Sequence, residues 1–317
     1  MNPIRLFSWP CLALFTAVAL AQTYPSKPVR LISPFPPGGG TDAVARVLAQ
    51  SLSEQLGQQV VVDSRGGASG MIGVEVAVKS PADGYTLVMG NVIPLAMLPA
   101  ATKVPYDVQR DLAPVSLAAL SDYILALHPS VPAKTIKELI ALAKARPGEL
   151  TFASSGNFSG PHLAGELLSL AQNIKLVHVP YKGTGPAAIA AMTGETTMMF
   201  GTGPSVVPHL PSGRLRALAT TGVKRSIPEL PTIGEFVPGY EVTQWYGILV
   251  PSGTPPDIIE RLNRAIVRGV ASPKVAQVLT NLGTQPMTST PEEFRAFIRT
   301  ESERWAKVIK AANIKSD

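Results

Sequence analysis

The residues best suited to chemistry lie in one turn, residues 36–42, with the sequence PPGGGTD. The run before it, residues 29–35, is short, apolar and rich in β-branched side chains, as in a buried parallel strand. The run after it places Val44, Leu48 and Leu52 on one helical face. A strand that turns into a helix in this way points free backbone N–H groups at one place, where the helix dipole favours an anion. A tight turn that binds no ligand would use the same residues.

The turn does not match the two common phosphate-binding loops. A P-loop has Gly-Lys-Ser or Gly-Lys-Thr after its spacer, whereas Gly40 is followed by Thr41 and Asp42. The dinucleotide pattern G-x-G-x-x-G fails from Gly38 and from Gly40. The turn therefore suits an anion of another kind, such as a carboxylate.

Similar turns recur further along the chain. A predicted strand at residues 150–153 leads into SSGNFSG at residues 154–160 and then into a helix opened by Pro161. A strand at 177–181 leads into KGTGP, and one at 198–200 leads into GTGPS. Two such turns, one in each of two α/β halves, could hold the two ends of a dianion.

The sequence gives no support for catalysis. No serine lies in a G-x-S-x-G turn, since Ser159 comes one place late. His162 and Glu166 could share a helix face, but capping or packing suits His162 better than metal binding. His178 alternates with valines in a strand, which indicates a structural role. We therefore expect no catalytic residues, no metal site and no cofactor.

Several other side chains have two interpretations. Lys182 and Arg65 are the loop cations best placed to meet a carboxylate, although such residues are more often solvated surface charges. Trp245 and Tyr246 could wall a ligand site, but a core position suits them better. Asn91 follows a predicted strand, where α/β proteins place ligand contacts, and a turn residue is the preferred interpretation.

The composition suits an exported protein of two domains. The 317 residues carry a formal net charge of +6, with the basic residues scattered, so nucleic acid is not an expected partner. A basic start, a short apolar run and the sequence ALA predict a signal peptide at residues 1–21, cut after Ala21. The single cysteine, Cys11, lies within this segment, so disulfides and thiol chemistry are not expected in the mature chain.

Alternating strands and helices over residues 29–89 predict a parallel sheet covered by helices. Thr135 and Glu138 form a capping-box pattern at the start of one helix. The predicted strands are residues 29–35, 60–63, 85–89, 123–127, 150–153, 177–181, 198–200, 215–221 and 243–251. The predicted helices are residues 43–56, 71–78, 135–145, 161–171, 187–192, 257–271 and 291–312.

Several long stretches together resemble one family. They include YPSKPVRLISPFPPGGGTD, DGYTLVMG, VPYDVQRDLAPVSL, FASSGN, VHVPYKGTGPA and YGILVPSGTPPDIIERLN, in this order from residue 24 onward. These stretches are similar to the periplasmic solute receptors of tripartite tricarboxylate transporters, often called Bug receptors. The resemblance covers nearly all of the mature chain.

The resemblance implies an α/β, type II periplasmic-binding-protein fold with a ligand cleft between two α/β domains. We expect residues 22–124 plus 248–317 to form one domain and residues 125–247 the other. The chain is expected to cross between them near residues 123–127 and 245–249. The implied protein is a monomer that closes like a clamshell on its ligand.

The resemblance also implies which residues contact the ligand. The first domain contributes the turn after its first strand, and the second domain contributes two turns that face it. With the residues beside these turns, the candidate ligand-binding residues are Phe35, Pro37, Gly38, Gly39, Thr41, Asp42, Ser154, Ser155, Gly156, Asn157, Phe158, Ser159, Tyr181, Lys182, Gly183, Thr184 and Thr202.

Two departures from the family pattern bear on the ligand. Gly201 and Thr202 stand where such receptors often have Asp-Asn, which argues against a ligand ammonium group. Phe158 replaces a residue that is commonly smaller, and an apolar ring at the cleft would suit an aromatic or aliphatic acid. We expect a receptor that delivers a di-, tri- or aromatic carboxylate to a membrane transporter. The alternatives are a ligand sensor for a membrane signalling protein and an exported α/β hydrolase.

Overall fold

A computed structural model describes residues 24–311, and the side chains of residues 24–310. The predicted signal peptide, residues 1–21, lies outside the described residues. Within residues 24–311, no helix combines the length and the apolar character needed to cross a membrane.

The first half of the molecule is built on three parallel strands, β1 Val29–Ser33, β2 Val60–Ser64 and β3 Thr86–Asn91, in the order β2-β1-β3. Helices α1 Gly40–Leu56 and α2 Met71–Val78 connect them. Every residue of β3 is buried, and β1 is buried at all but one position, because helices cover both faces of the sheet. The predicted β-α-β-α-β order is confirmed.

The second half repeats this plan with β5 Thr151–Ser154, β6 Val177–Pro180 and β7 Met198–Thr202, in the order β7-β5-β6. These three strands are parallel to each other. The remaining strand of this half is β8 Arg216–Thr220. Its helices are α5 Ile136–Ala145, α6 Gly160–Gln172, α7 Thr184–Thr193 and α8 Gly203–Val206.

One long strand, β4 Leu112–Leu127, joins the two halves. As far as Asp122 it pairs antiparallel with β9 Thr243–Pro251, and from Tyr123 it pairs with β7 and β8. β9 pairs with β3 on its other side and so belongs to the first half. The chain thus leaves the sheet of the first half after Asp122 and returns to it at Thr243. Both points come a few residues before the expected domain boundaries at 124 and 247. The domain limits themselves stay a prediction.

Three helices follow β9, where the sequence analysis predicted two. They are α9 Pro256–Ala271, α10 Pro273–Asn281 and α11 Pro291–Ala311. The missed helix, α10, begins directly after α9, where Ser272 accepts a hydrogen bond from the Val275 N–H (3.4 Å) and Pro273 occupies the first helical position. A short strand, β10 Gln285–Pro286, then pairs with β4.

Other element predictions were wrong in part. The first eleven residues of β4 were not predicted as a strand, because they are almost all buried and lack the alternation of a half-exposed strand. Helix α7 begins at Thr184, three residues before its predicted start. Two short helices were missed as well, α3 Leu98–Ala101 and α4 Val108–Asp111.

Candidate ligand-binding site

The N-termini of two helices, one from each half, meet between the sheets. The Gly40 N–H at the start of α1 donates to Thr184 Oγ1 at the start of α7 (3.3 Å). Neither helix has a side chain that caps it, since the residues before them are Gly39 and Gly183. Free N–H groups and the positive ends of two helix dipoles therefore converge on one place, which favours a negative charge.

The backbones of the two halves approach closely here. A β-carbon at Gly185 would lie 2.9 Å from the carbonyl carbon of Gly38, and one at Gly40 would overlap Thr202 Oγ1. A β-carbon at Gly183 would lie 3.1 Å from the Pro36 ring. Because real β-carbons essentially never come within 3.0 Å of another atom, Gly185 and Gly40 allow the halves to meet in this way, and Gly183 has a φ of 129° that favours glycine.

A small space, which we call the inner cavity, lies where the helix N-termini meet. Its volume is about 10 Å³, close to the room that one water molecule needs. None of the described residues that line it is charged. The lining residues are Phe35, Gly39, Gly40, Thr41, Ile93, Tyr123, Ser155, Thr184, Thr202 and Gln244.

Three buried polar atoms of the inner cavity have no hydrogen-bond partner among the described residues: Tyr123 Oη, Ser155 Oγ and Gln244 Oε1. A buried polar atom without a partner is costly, so three around one cavity indicate a place prepared for a polar ligand or ordered water. Burial holds the pKa of Tyr123 well above its usual range, so the hydroxyl keeps its proton. Tyr123 and Ser155 can donate, and Gln244 Oε1 can accept.

A second and larger space, the outer cavity, lies beside the inner one. Its volume is about 300 Å³, and it shares Phe35 and Ser155 with the inner cavity. Both halves contribute to it, and Ser69 Oγ donates to the Asn157 carbonyl across it (2.9 Å). The lining residues are Phe35, Gly67, Ala68, Ser69, Gly70, Ser155, Gly156, Asn157, Pro180, Tyr181 and Lys182.

The structure brings most of the predicted site residues to one of these two cavities. The predicted residues that line the inner or the outer cavity are Phe35, Gly39, Thr41, Ser155, Gly156, Asn157, Tyr181, Lys182, Thr184 and Thr202. Gly183 is the residue directly before α7 and lines neither cavity. The other predicted residues that line neither cavity are Pro37, Gly38, Asp42, Ser154, Phe158 and Ser159.

The side chain of Asp42 bonds to residues of its own half of the molecule. Its buried carboxylate accepts hydrogen bonds from the Gly38 N–H (3.3 Å) and the Ser64 hydroxyl (3.3 Å) and forms an ion pair with Arg46 (2.9 Å). Pro37 and Gly38 are exposed. These contacts hold the turn in place, and the negative charge of Asp42 stabilises the N-terminus of α1. The carboxylate is bound to these partners and lines neither cavity.

The turn at residues 154–160 is fixed by two stacked histidines. His178 Nε2 lies 2.5 Å from Ser154 Oγ, and the Phe158 N–H donates to His162 Nδ1 (3.0 Å). The two imidazole rings stack with centroids 3.9 Å apart, and Ser159 accepts a hydrogen bond from the His162 N–H. Burial, and then the neighbouring His162, lower the pKa of His178 to about 3, so His178 is neutral. The structural roles predicted for both histidines fit these contacts.

The apolar ring expected at the cleft is not that of Phe158. Its side chain is buried against His162, edge to face at 6.2 Å, with a backbone φ of 58°. Phe35 supplies an apolar ring to both cavities instead. The substitution at position 158 therefore says little about the shape of the ligand.

The structure also shows the contacts of three other side chains for which the sequence left two interpretations. Arg65 pairs with Asp63 (3.1 Å) and lines neither cavity, so it is a surface ion pair. Trp245 is a core residue, packed edge to face against Phe294 (5.5 Å). The side-chain amide of Asn91, at the end of β3, donates to Thr41 Oγ1 (2.9 Å). It thereby holds the side chain of Thr41, which lines the inner cavity. No group of metal-ligating side chains occurs in the part of the chain that the structure describes.

Sequence reasoning missed several residues of the site. Tyr123 lies in β4 where this strand passes from one sheet to the other, Gln244 lies near the start of β9, and Ile93 follows β3. Gly40 was treated only as part of the turn. The glycine-rich run that ends at Gly70 lines the outer cavity as well. Tyr123 and Gln244 come together only because β4 pairs with β9, and the residues around each of them in the sequence do not indicate this pairing.

A model of the tripartite tricarboxylate transporter family receptor matches residues 44–314 of this chain. The chain belongs to this receptor family. It is accordingly a solute receptor and not an enzyme, and the periplasmic-binding-protein fold expected from the resemblance is confirmed.

Several known proteins are similar to this chain over nearly their full lengths. Protein BugT of Bordetella pertussis is 40% identical, covering 99% of each chain. A protein of R. palustris solved with adipate has a TM-score of 0.89 at 35% identity, covering 92% of this chain and 99% of that one. MatC from Rhodopseudomonas palustris with bound malate has a TM-score of 0.85 at 28% identity, covering 90% and 100%.

Proposed function

We propose that this receptor captures a small carboxylate in the cleft by closure of its two domains, and delivers it to a tripartite membrane transporter. The carboxylate group would lie in the inner cavity, between the N-termini of α1 and α7. The rest of the ligand would extend into the outer cavity. The protein would act in the periplasm as a monomer, without a cofactor.

The observation that carries this proposal is the chemistry of the inner cavity. Two uncapped helix N-termini give N–H donors and partial positive charge, and Tyr123 and Ser155 give hydroxyl donors that have no other described partner. A carboxylate accepts several hydrogen bonds at once and is stabilised by dipoles of this orientation. Gln244 Oε1 can accept from an ordered water that accompanies the carboxylate.

The contacts across the cleft support a closing motion. Gly40 with Thr184, and Ser69 with Asn157, join the two halves at the cavities. A space of about 10 Å³ cannot admit a carboxylate from solvent unless the halves first move apart. Ligand contacts made from both halves would then favour the closed arrangement over the open one.

The relatives support the ligand class and the partner. One similar structure was determined with adipate and another with bound malate, and both are small dicarboxylates. The family description names a tripartite tricarboxylate transporter, which makes the membrane subunits of such a transporter the expected partner. The signal peptide predicted at residues 1–21 fits export to the periplasm.

A thermal-shift screen of the mature protein, from Gln22 onward, tests the proposal. A ligand at about 100 times its Kd stabilises the folded state by about 2.7 kcal/mol, which raises the melting temperature by a measurable few degrees. The panel contains aliphatic dicarboxylates, tricarboxylates, aromatic acids and neutral amides of similar size. A response confined to carboxylates is the expected result. If no carboxylate responds, and native mass spectrometry detects no co-purified acid, the proposal fails.

A further inference from the structure

We propose that His162 is a positioning residue for ligand binding, because its neutral imidazole holds the turn at residues 154–160 in the shape that the ligand needs. Protonation of His162 would release this turn, so the receptor would bind its ligand less tightly at acidic pH than at neutral pH. This inference rests on the proposed function and goes further, because it assigns a pH dependence to ligand binding and names the residue that causes it.

One hydrogen bond makes the turn depend on the protonation state of His162. The Phe158 N–H donates to His162 Nδ1 (3.0 Å), so this nitrogen carries no proton and the ring is neutral. A protonated imidazole has an N–H at both nitrogens and accepts no hydrogen bond. The Phe158 N–H would then point at a second N–H, and the bond that joins the turn to the His162 side chain would be lost.

Phe158 has a backbone conformation that needs the support of such a bond. Its φ of 58° lies in the left-handed region, which residues other than glycine seldom adopt. Ser155, Gly156 and Asn157, which line the cavities, come directly before it. Loss of the bond at Phe158 would therefore let these three residues shift, although His162 itself lines neither cavity.

Among the described residues, two titratable side chains flank the His162 ring. His178 of β6 stacks on it with centroids 3.9 Å apart, and Glu166, on the next turn of α6, lies 3.7 Å from His162 Nε2. The rings that β5 and the turn contribute, Phe152 and Phe158, carry no charge. Burial, and then the neighbouring His162, lower the pKa of His178 to about 3. Burial raises the pKa of Glu166, and in its ionised form this carboxylate favours a proton on His162. His162 is thus the member of the stacked pair that takes up a proton first.

Closure of the two halves favours the neutral ring. Ser69 Oγ of the first half donates to the Asn157 carbonyl of the turn (2.9 Å), and a β-carbon at Gly156 would lie 2.8 Å from the same oxygen. The closed arrangement thus accepts the turn in one shape, which is the shape that neutral His162 holds. By linkage, a ligand that favours this arrangement expels a proton from His162, and protonation of His162 weakens ligand binding by the same factor.

Calorimetric titration at two pH values tests the inference, with adipate as the first probe and the other acids of the thermal-shift panel after it. From about pH 8 to about pH 5.5, the range in which histidine titrates, wild type should lose about tenfold in affinity. His162→Asn places near Nδ1 an amide oxygen that can accept the Phe158 N–H and takes up no proton, so it should lose clearly less. His162→Ala offers no acceptor, so at about pH 8 it should bind less tightly than His162→Asn. His128→Asn removes a histidine that lines neither cavity and should lose as much as wild type.

Proton release separates the histidine from the ligand, whose own carboxylates titrate near this range. Titrations at about pH 6 in two buffers of different ionisation enthalpy give the number of protons that binding releases. The ligand contributes equally with every variant. Wild type should therefore release more protons than His162→Asn.

The outcomes distinguish this inference from the proposed function. If wild type and His162→Asn lose affinity to the same extent and release the same number of protons, the inference is wrong and carboxylate capture still stands. The same conclusion follows if His162→Ala binds as tightly as wild type at about pH 8. If no acid of the panel binds at either pH, the proposed function fails, and this inference fails with it.

Discussion

Two turns of this molecule look alike in sequence and are used differently. Residues 36–41 and residues 154–160 each follow a buried parallel strand, contain glycines and lead into a helix. The first turn leaves the N-terminus of α1 uncapped and open to the inner cavity. In the second turn, Ser159 caps α6, and the hydroxyl of Ser154 is held by His178.

The difference lies in the capping: the side chain of Ser159 caps α6, whereas no side chain caps α1, so the N-terminus of α1 is the one we propose for the ligand. In the second turn, local side chains satisfy backbone N–H groups, and only Ser155, Gly156 and Asn157 reach the cavities. The partner of the first turn is instead α7, whose preceding residue, Gly183, provides no cap. Residues that line the cavities and residues that hold the turn in place are thus neighbours in the sequence.

The largest expected effect comes from Gly40→Ala. The added methyl group would overlap Thr202 Oγ1 and lie 2.8 Å from Tyr246 Oη, so it opposes closure at the first turn. Overpacking of this kind costs about 1–3 kcal/mol, which corresponds to roughly fivefold to 150-fold weaker binding. Calorimetric titration with the best carboxylate measures the loss.

Adding Thr202→Ala to Gly40→Ala should restore part of the affinity, since it removes Thr202 Oγ1, the nearest of the atoms that the methyl group meets. Unchanged affinity in Gly40→Ala would mean that the ligand is bound without this close approach of the two halves.

Tyr123→Phe separates binding from stability. Its hydroxyl has no described partner and its side chain lines the inner cavity, so removing the hydroxyl should weaken carboxylate binding about tenfold with no loss of folding stability. Tyr240→Phe is the matched control, because that buried hydroxyl donates to the Ala164 carbonyl (2.8 Å) away from the cavities. It should cost about 1 kcal/mol of stability and leave affinity unchanged. The reverse pattern, measured by titration and denaturant unfolding, would contradict the assignment of Tyr123.

Two adjacent serines test the division of roles within the second turn. Ser155→Ala should lower affinity several-fold and leave stability unchanged, because its buried hydroxyl has no partner in the described chain. Ser154→Ala should lower stability by about 1–2 kcal/mol, because His178 and the Gly156 N–H lose their partner. Equal effects of the two changes on affinity would show that the second turn binds the ligand through both hydroxyls.

The smallest expected effect concerns pH and the histidines of the second turn. Because the folded-state pKa of His178 is lowered to about 3, its stabilising contribution is complete above the unfolded pKa of 6.5 and declines as the pH falls from there. Between pH 7 and pH 4.5, wild type should therefore lose more melting temperature than His178→Gln. Since His178 is partly exposed, the difference should be small. Parallel curves would show that His178 is not buried in neutral form.

Helices and strands could be predicted from the sequence wherever an apolar run with clear ends marked them. The strand Thr243–Pro251 and the helix Met71–Val78 have the bounds expected from their apolar runs. The first part of β4 could not be predicted, because burial on both faces removes the alternation of polar and apolar residues. The short helix α10 was missed because its start directly follows the end of α9.

The candidate site was less predictable than the fold. Turn residues such as Thr41 and Thr184 could be found, since glycines and a helix start mark them. Tyr123 and Gln244 could not, because they meet only through the pairing of two strands far apart in sequence. The engagement of Asp42 by Arg46 and Ser64 is likewise a property of the folded chain.

The most direct test is a crystal structure of the mature protein with the carboxylate that raises its melting temperature most. We predict that one carboxylate group accepts hydrogen bonds from the N-terminus of α1 and from Tyr123 or Thr184, with the remaining atoms in the outer cavity. A ligand held elsewhere, or one whose carboxylate faces away from both helix N-termini, would contradict the account.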